Sequence, residues 1–179
     1  MDCALSSPLF AQVLGQDAFA HLPAPVRALH SVQQRQTFGG WAQIQRGRHP
    51  LGALLALLSR LPRSGEVEVE VAFLADARGE RWHRRSGGLP MHSRLWRGGN
   101  GLRQHLSAVR LEFALRADAP SLSWQATRVR AFGWIALPAR WFDQMRCRER
   151  AVAGRYGFLV DVHLPLVGPL IRRGWLEPR

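Results

Sequence analysis

The most strongly patterned stretch of the chain runs from Tyr156 to Pro178. Tyr156, Phe158, Val160, Val162 and Leu164 fall on one side of an extended chain, and Gly157, Leu159, Asp161 and His163 on the other. That period of two predicts a strand with one buried face. Pro165, Gly168 and Pro169 interrupt the run and the apolar chain resumes at Leu170 and Ile171, which predicts an antiparallel pair joined by a loop. A hairpin alone is marginal in water, so this pair must join a sheet built earlier in the chain.

The same rhythm begins at Glu66. Val67, Val69, Val71 and Phe73 alternate with Glu66, Glu68 and Glu70, and the turn Asp76–Gly79 leads into a partner strand over Glu80–Arg85 whose Arg81, Arg84 and Arg85 are expected to face the glutamates. Strands follow at Leu89–Trp96, from Leu102 through Val109, Leu111, Phe113 and Leu115, and at Ser121–Phe132, where the apolar phase slips near Ala126 and predicts a bulge. WIALPARW after Gly133 reads as an apolar connection. Arg146, Arg148 and Arg150 then alternate with Cys147, Glu149 and Ala151 in a strand with one basic face. Ahead of these, Ser6-Ser7-Pro8 can open a helix carrying Leu9, Phe10, Val13 and Leu14. Pro23 and Pro25 lead into a second helix with Val26, Leu29 and His30. Thr37–Gly47 reads as a first strand, and Leu51–Leu61 as a helix apolar nearly all round.

Sequential strands with short connections form antiparallel meanders, and one this long must close or curl to hide its edges. The expected class is therefore α+β, mainly β: a strongly curved antiparallel sheet or barrel of about eight or nine strands. Two or three N-terminal helices would pack on it or plug it. One domain over 1–179 is expected, with a helical part and one strand over 1–62 and the meander over 63–179.

Composition changes this picture in one respect. The 179 residues are 46% hydrophobic and 21% charged, as in ordinary globular proteins, but the net charge is +12 and all 25 basic residues are arginine. A basic balance suits anionic partners: nucleic acid, acidic membrane or phosphorylated ligands. The arginines are scattered in runs of at most two, and a GC-rich codon bias, which favours Arg, Ala, Gly, Leu and Pro together, gives the same excess without any anionic partner; a nucleic-acid partner is not the expectation. Two cysteines, Cys3 and Cys147, form no disulfide framework. No apolar run reaches the roughly 18–20 residues of a membrane-spanning helix, and the N-terminus lacks a signal-peptide pattern. A cytoplasmic protein is expected.

No P-loop, G-x-S-x-G elbow or dinucleotide-binding glycine motif is present. The histidines show no metal-ligand spacing, so neither a metal nor a cofactor is implied. Asp161 and His163, two apart on one face, are the weak catalytic candidates: a general base with an orienting partner can look like this. His83 and His92 are the residues that would have to converge with them. Seven tryptophans are many for this length. They can be core, or line an apolar cavity with arginine holding an acidic head group. The candidate ligand-binding residues are Trp82, Trp96, Trp124, Arg84, Arg94 and Tyr156.

Several stretches together resemble a bacterial family without assigned function, domain-of-unknown-function family 4166. They are PLFAQVLG at Pro8–Gly15, LPAPVRALH at Leu22–His30, a strand with Gly-x-x-x-x-x-Arg-Gly ending at Arg46-Gly47, RWHRRSGG at Arg81–Gly88, Ser-x-Leu at Ser93–Leu95, and HLPLVGPLIRRGWLEP at His163–Pro178. The sequence departs from the family pattern at Ser86, where an aromatic residue is usual, at Gln104–Ser107, where Glu-x-Phe-Gly is usual, and around Arg172, again an aromatic position. The resemblance brings no agreed catalytic residues. The family occurs alone or attached to Rossmann-type oxidoreductase domains, an association that implies an accessory or substrate-binding role at most. A non-catalytic module for a small or lipid-like ligand is thus the leading expectation. An enzyme centred on Asp161 and His163, and an arginine-mediated binder of nucleic acid or anionic membrane, are the alternatives.

Overall fold

The computed structural model describes residues 7–47, 62–164 and 168–179; the helix expected at Leu51–Leu61 lies outside the described residues. Three short helices come first: α1 (Leu9–Leu14), α2 (Gln16–Ala20) and α3 (Ala24–Leu29). Pro25 sits in the first turn of α3, where the missing N–H costs nothing. Each helix is too short to stand alone in water. What holds them is burial: Leu9, Phe10, Phe19, Val26 and Leu29 are all inside.

Eleven strands follow: β1 (Arg35–Arg46), β2 (Gly65–Asp76), β3 (Gly79–Ser86), β4 (Leu89–Gly98), β5 (Gly101–Leu106), β6 (Val109–Asp118), β7 (Ser121–Ala131), β8 (Ile135–Ala136), β9 (Arg146–Val152), β10 (Arg155–Leu164) and β11 (Gly168–Pro178). Every pairing is antiparallel. β1 pairs with both β2 and β11, and β7 with β6 on one edge and with β9 on the other, so ten strands close into a barrel. β8 is an extra two-residue strand on β7, reached beyond the stretch that β9 occupies.

The expected curved antiparallel sheet with helices at its N-terminus is the fold observed, with more strands than the eight or nine anticipated. The main difference lies at Ser107-Ala108. Leu102 to Leu115 reads as one strand in sequence, yet Leu106 pairs with Val109 across a two-residue turn, with Ser107 in the left-handed region at φ 52°. No glycine or proline marks that turn. The one available signal is that the apolar parity flips from even positions (Leu102, Leu106) to odd ones (Val109, Leu111, Phe113). The bulge expected near Ala126 is present: Glu112 pairs with Arg128 but Phe113 pairs with Ala126, leaving Thr127 unpaired.

Side-chain alternation sorts each strand into an inner and an outer face. In β2, Val69, Val71 and Phe73 are buried while Glu68 and Glu70 are exposed. Glycines draw the β1–β11 seam tight. A Cβ at Gly40 would run into the Trp175 carbonyl oxygen, and one at Gly174 into that of Trp41. The helices precede the start of β1, where Arg35 pairs with Leu74 near the β2–β3 turn. They therefore occupy one end of the barrel, and the β3–β4, β5–β6 and β7–β8 turns lie at the other.

Candidate functional site

Inward-facing positions of the strands should be apolar, and the upper half of the interior, under the helices, is largely so. Phe10 of α1 stacks on His30 with ring centroids 3.7 Å apart and lies 5.3 Å from Trp124 and 6.2 Å from Trp82. Phe38, Phe73 and Phe113 complete the aromatic packing. Set into this layer are four ionisable side chains. His30, just past α3, is fully buried and its Nε2 lies 2.6 Å from Glu149 Oε2 of β9, also buried. Glu80 of β3 accepts a hydrogen bond of 2.7 Å from Trp82 Nε1. Burial pushes the Glu80 carboxyl above the usual range, outweighing the Trp82 hydrogen bond and the charge of His30, which act downward. Tyr156 of β10 is held well above the ordinary phenol value, first by burial and then by the negative charge of Glu149.

Below this layer the interior becomes basic. Trp82, Arg84 and Ser86 share one face of β3, and Arg172 projects inward from β11. The Arg84 guanidinium lies over the Trp82 ring at 4.6 Å, and that of Arg172 over Phe158 at 5.5 Å. Arg172 Nη2 donates to Ser86 Oγ at 2.8 Å. Among the described residues neither guanidinium has a carboxylate within ion-pair distance, whereas six other pairs on the molecule do. Burial first, and the neighbouring Arg172 charge second, push Arg84 down to about 10. Arg172 is lowered by burial as well. Both side chains nevertheless keep part of their surface accessible. Cys147, which also faces inward, is held as the neutral thiol because burial pushes its value far up.

Several polar atoms in this interior have no hydrogen-bond partner among the described residues: His30 Nδ1, Glu80 Oε1, Ser93 Oγ, Trp124 Nε1 and Arg172 Nε. Such atoms are uncommon in a packed core, and a cluster of them implies hydrogen-bonding capacity directed at something other than the chain itself.

The structure brings together four of the six candidate ligand-binding residues: Trp82, Trp124, Arg84 and Tyr156 all line this interior. Arg94 and Trp96 are on the outer face of β4, since Ser93 and Leu95 are its buried positions. Of the three arginines expected to face the β2 glutamates, Arg85 does so, opposite Glu70, whereas Arg84 pairs in register with Val71 on the inner face and Arg81 pairs with Leu74 and reaches Asp76 at 3.5 Å. Asp161 and His163 do meet, with Oδ1 and Nδ1 3.0 Å apart, but on the half-exposed outer face of β10. His83 and His92 stack edge-to-face on the outside of β3 and β4, away from that pair. Among the described residues no group of three or more His, Cys, Asp or Glu side chains could hold a metal ion. Sequence reasoning missed His30, Glu80, Glu149 and Arg172. Parity was the available signal: Glu80 shares a face with Trp82, and Glu149 with Cys147. Ser86, Gln104 and Arg172, the positions that depart from the family pattern, all lie on inner faces.

These features define a class: a closed antiparallel β-barrel, capped at one end by helices, with an aromatic and basic interior. Within it, the chain belongs to the family described as domain of unknown function (DUF4166), which it matches over residues 22–176, nearly its whole length. No protein of curated function matches it in sequence. None of the described helices is long and apolar enough to cross a membrane.

Proposed function

We propose that the barrel is a non-catalytic binding module for a small or lipid-like molecule with an anionic head, taken into the lumen from the end opposite the helices. The observation that carries this is the inward pair Arg84 and Arg172. Two like charges recessed in a low-dielectric interior without a described carboxylate are costly in the empty protein. A carboxylate or phosphate between them would convert that cost into charge-assisted, bidentate hydrogen bonds. Phe158, Trp82 and Trp124 supply the apolar wall beside the guanidiniums, in keeping with pockets that are mainly apolar with few polar contacts. Binding without turnover agrees with Cys147 and Tyr156 both held in their neutral forms. A cytoplasmic setting and service to an oxidoreductase partner fit this role.

The test is native mass spectrometry of freshly purified protein, followed by incubation with dodecanoate and, separately, dodecanol. The expected result is a discrete adduct, either co-purified or formed with dodecanoate and not with dodecanol, and absent from the Arg84→Met/Arg172→Met variant. Equal uptake of both probes, equal uptake by the variant, or no uptake at all would overturn the proposal.

A further inference from the structure

At the β7–β8 turn the chain places a tryptophan, a phenylalanine and an isoleucine in water. Trp134 is 77% exposed, Phe132 69% and Ile135 37%. Phe132 adopts φ 52° and Gly133 φ 80°, the two left-handed residues of a tight hairpin turn. Asparagine or glycine is the usual first residue of such a turn. A bulky aromatic there is strained, and strain of this kind points toward function when nothing in the packing accounts for it. The Phe132 ring gains no burial in return. Backbone bonds hold the tip: Phe132 N–H donates to the Ala108 carbonyl, and Trp134 N–H to that of Ala131.

The outer face leading to this tip is basic. Arg110 and Arg130 are directly opposite each other in the β6–β7 ladder, an arrangement of like charges that disfavours pairing on its own. One step further along, Arg128 and Arg103 share one acid, Glu112, at 3.8 Å and 3.6 Å. Four arginines against one glutamate leave the face strongly positive beside an aromatic prow.

We infer that the β7–β8 tip, with the arginines of β6 and β7 behind it, docks the protein on an anionic phospholipid surface, Trp134 and Phe132 entering the headgroup layer. Tryptophan is favoured at that depth because its ring is apolar and its N–H polar. Arginines a few ångströms behind it meet the lipid phosphates, each adding to attraction within a screening length. A protein partner would call for a broad complementary patch; a small tip of three apolar side chains with arginines on the face behind it suits a bilayer better. The tip stands at the barrel end opposite the helices, which is the end proposed for ligand entry, but the inference does not rest on the lumen holding a ligand.

The test is co-sedimentation with phosphatidylcholine vesicles, with and without phosphatidylglycerol, at two salt concentrations. Wild type should bind the anionic vesicles and not the neutral ones, and lose binding as salt rises. Trp134→Ser/Phe132→Ser should weaken it by about tenfold or more, with an unchanged circular dichroism spectrum. Arg110→Gln/Arg130→Gln should weaken it too. No binding to anionic vesicles, or binding that the tip variant leaves unchanged, overturns the assignment. So does sedimentation velocity showing a wild-type dimer that the tip variant dissociates, which would make the tip a contact between copies. Uptake of dodecanoate is measured separately, so either conclusion can fail without the other.

Discussion

Removing the Arg84 guanidinium while keeping its stem should stabilise the empty protein, an outcome opposite to that of most interior substitutions. A base whose folded value is depressed releases its proton more readily when folded than when unfolded. Its charge therefore subtracts from stability at neutral pH, and stability would recover only as pH rose through the folded value, about 10 for Arg84. At about 1.4 kcal/mol for each tenfold change, that displacement sets a ceiling of roughly 3 kcal/mol. Arg84 retains part of its surface, so water screens the charge and the ceiling must be discounted. The contact with the Trp82 ring, worth about 0.5–1 kcal/mol, is largely replaced when methionine sulfur lies against the same ring. Arg84→Met should accordingly raise the unfolding free energy by roughly 1 kcal/mol, or about 2–4 °C in melting temperature for a chain of this length. Arg172→Met should gain less, because it also forfeits the bond to Ser86. The double variant should gain less than the sum, since each single change already relieves the repulsion between the two charges. Urea unfolding of the four proteins, stripped of ligand, measures all of this. A loss of more than about 1 kcal/mol in Arg84→Met would refute the reasoning, for it would mean that the guanidinium is fully satisfied by the fold.

Two further predictions concern the layer above. Glu80 has a raised folded value, so its contribution to stability is greatest below the unfolded value and is lost as pH rises through the folded one; Glu80→Gln, which keeps an acceptor for Trp82, should unfold at a higher temperature than wild type near pH 7 and match it near pH 4, and equal melting at both would remove the assignment of burial as the cause. Phe10 is fully buried between the α1 helix and the His30 ring, so Phe10→Ala should cost about 3–5 kcal/mol, read by calorimetry, and a cost below about 1 kcal/mol would show that the helices do not seal that end.

The architecture was legible in the sequence wherever one face of a strand is apolar and the other charged. Val69, Val71 and Phe73 against Glu68 and Glu70 state both the strand and its inner face, and the slip of phase at Thr127 shows as a bulge. Legibility failed where parity and chemistry disagree. Glu80, Arg84, Glu149 and Arg172 lie on inner faces although charge usually marks the outside. Arg84 was read as one of a run of arginines facing glutamates, whereas alternation alone puts it with Trp82. The Asp161–His163 pair shows alternation at work: spacing of two brought the side chains together, and the apolar run Tyr156, Phe158, Val160 and Val162 on the opposite parity put the pair on the outer face. The Ser107-Ala108 turn was hidden because a positive φ was assigned to serine, where glycine or asparagine would have announced it. Which inward residues from distant strands become neighbours, such as Ser86 and Arg172, is a property of strand order and register that no local pattern carries.

The most direct measurement is the arginine side-chain Nε–H spectrum of the labelled protein during titration with dodecanoate, with the resonances of Arg84 and Arg172 identified by their loss in the methionine variants. The account predicts saturable shifts in those two signals at concentrations that leave the outer-face arginines in place. Shifts confined to surface arginines, or two interior signals that do not respond, would contradict it.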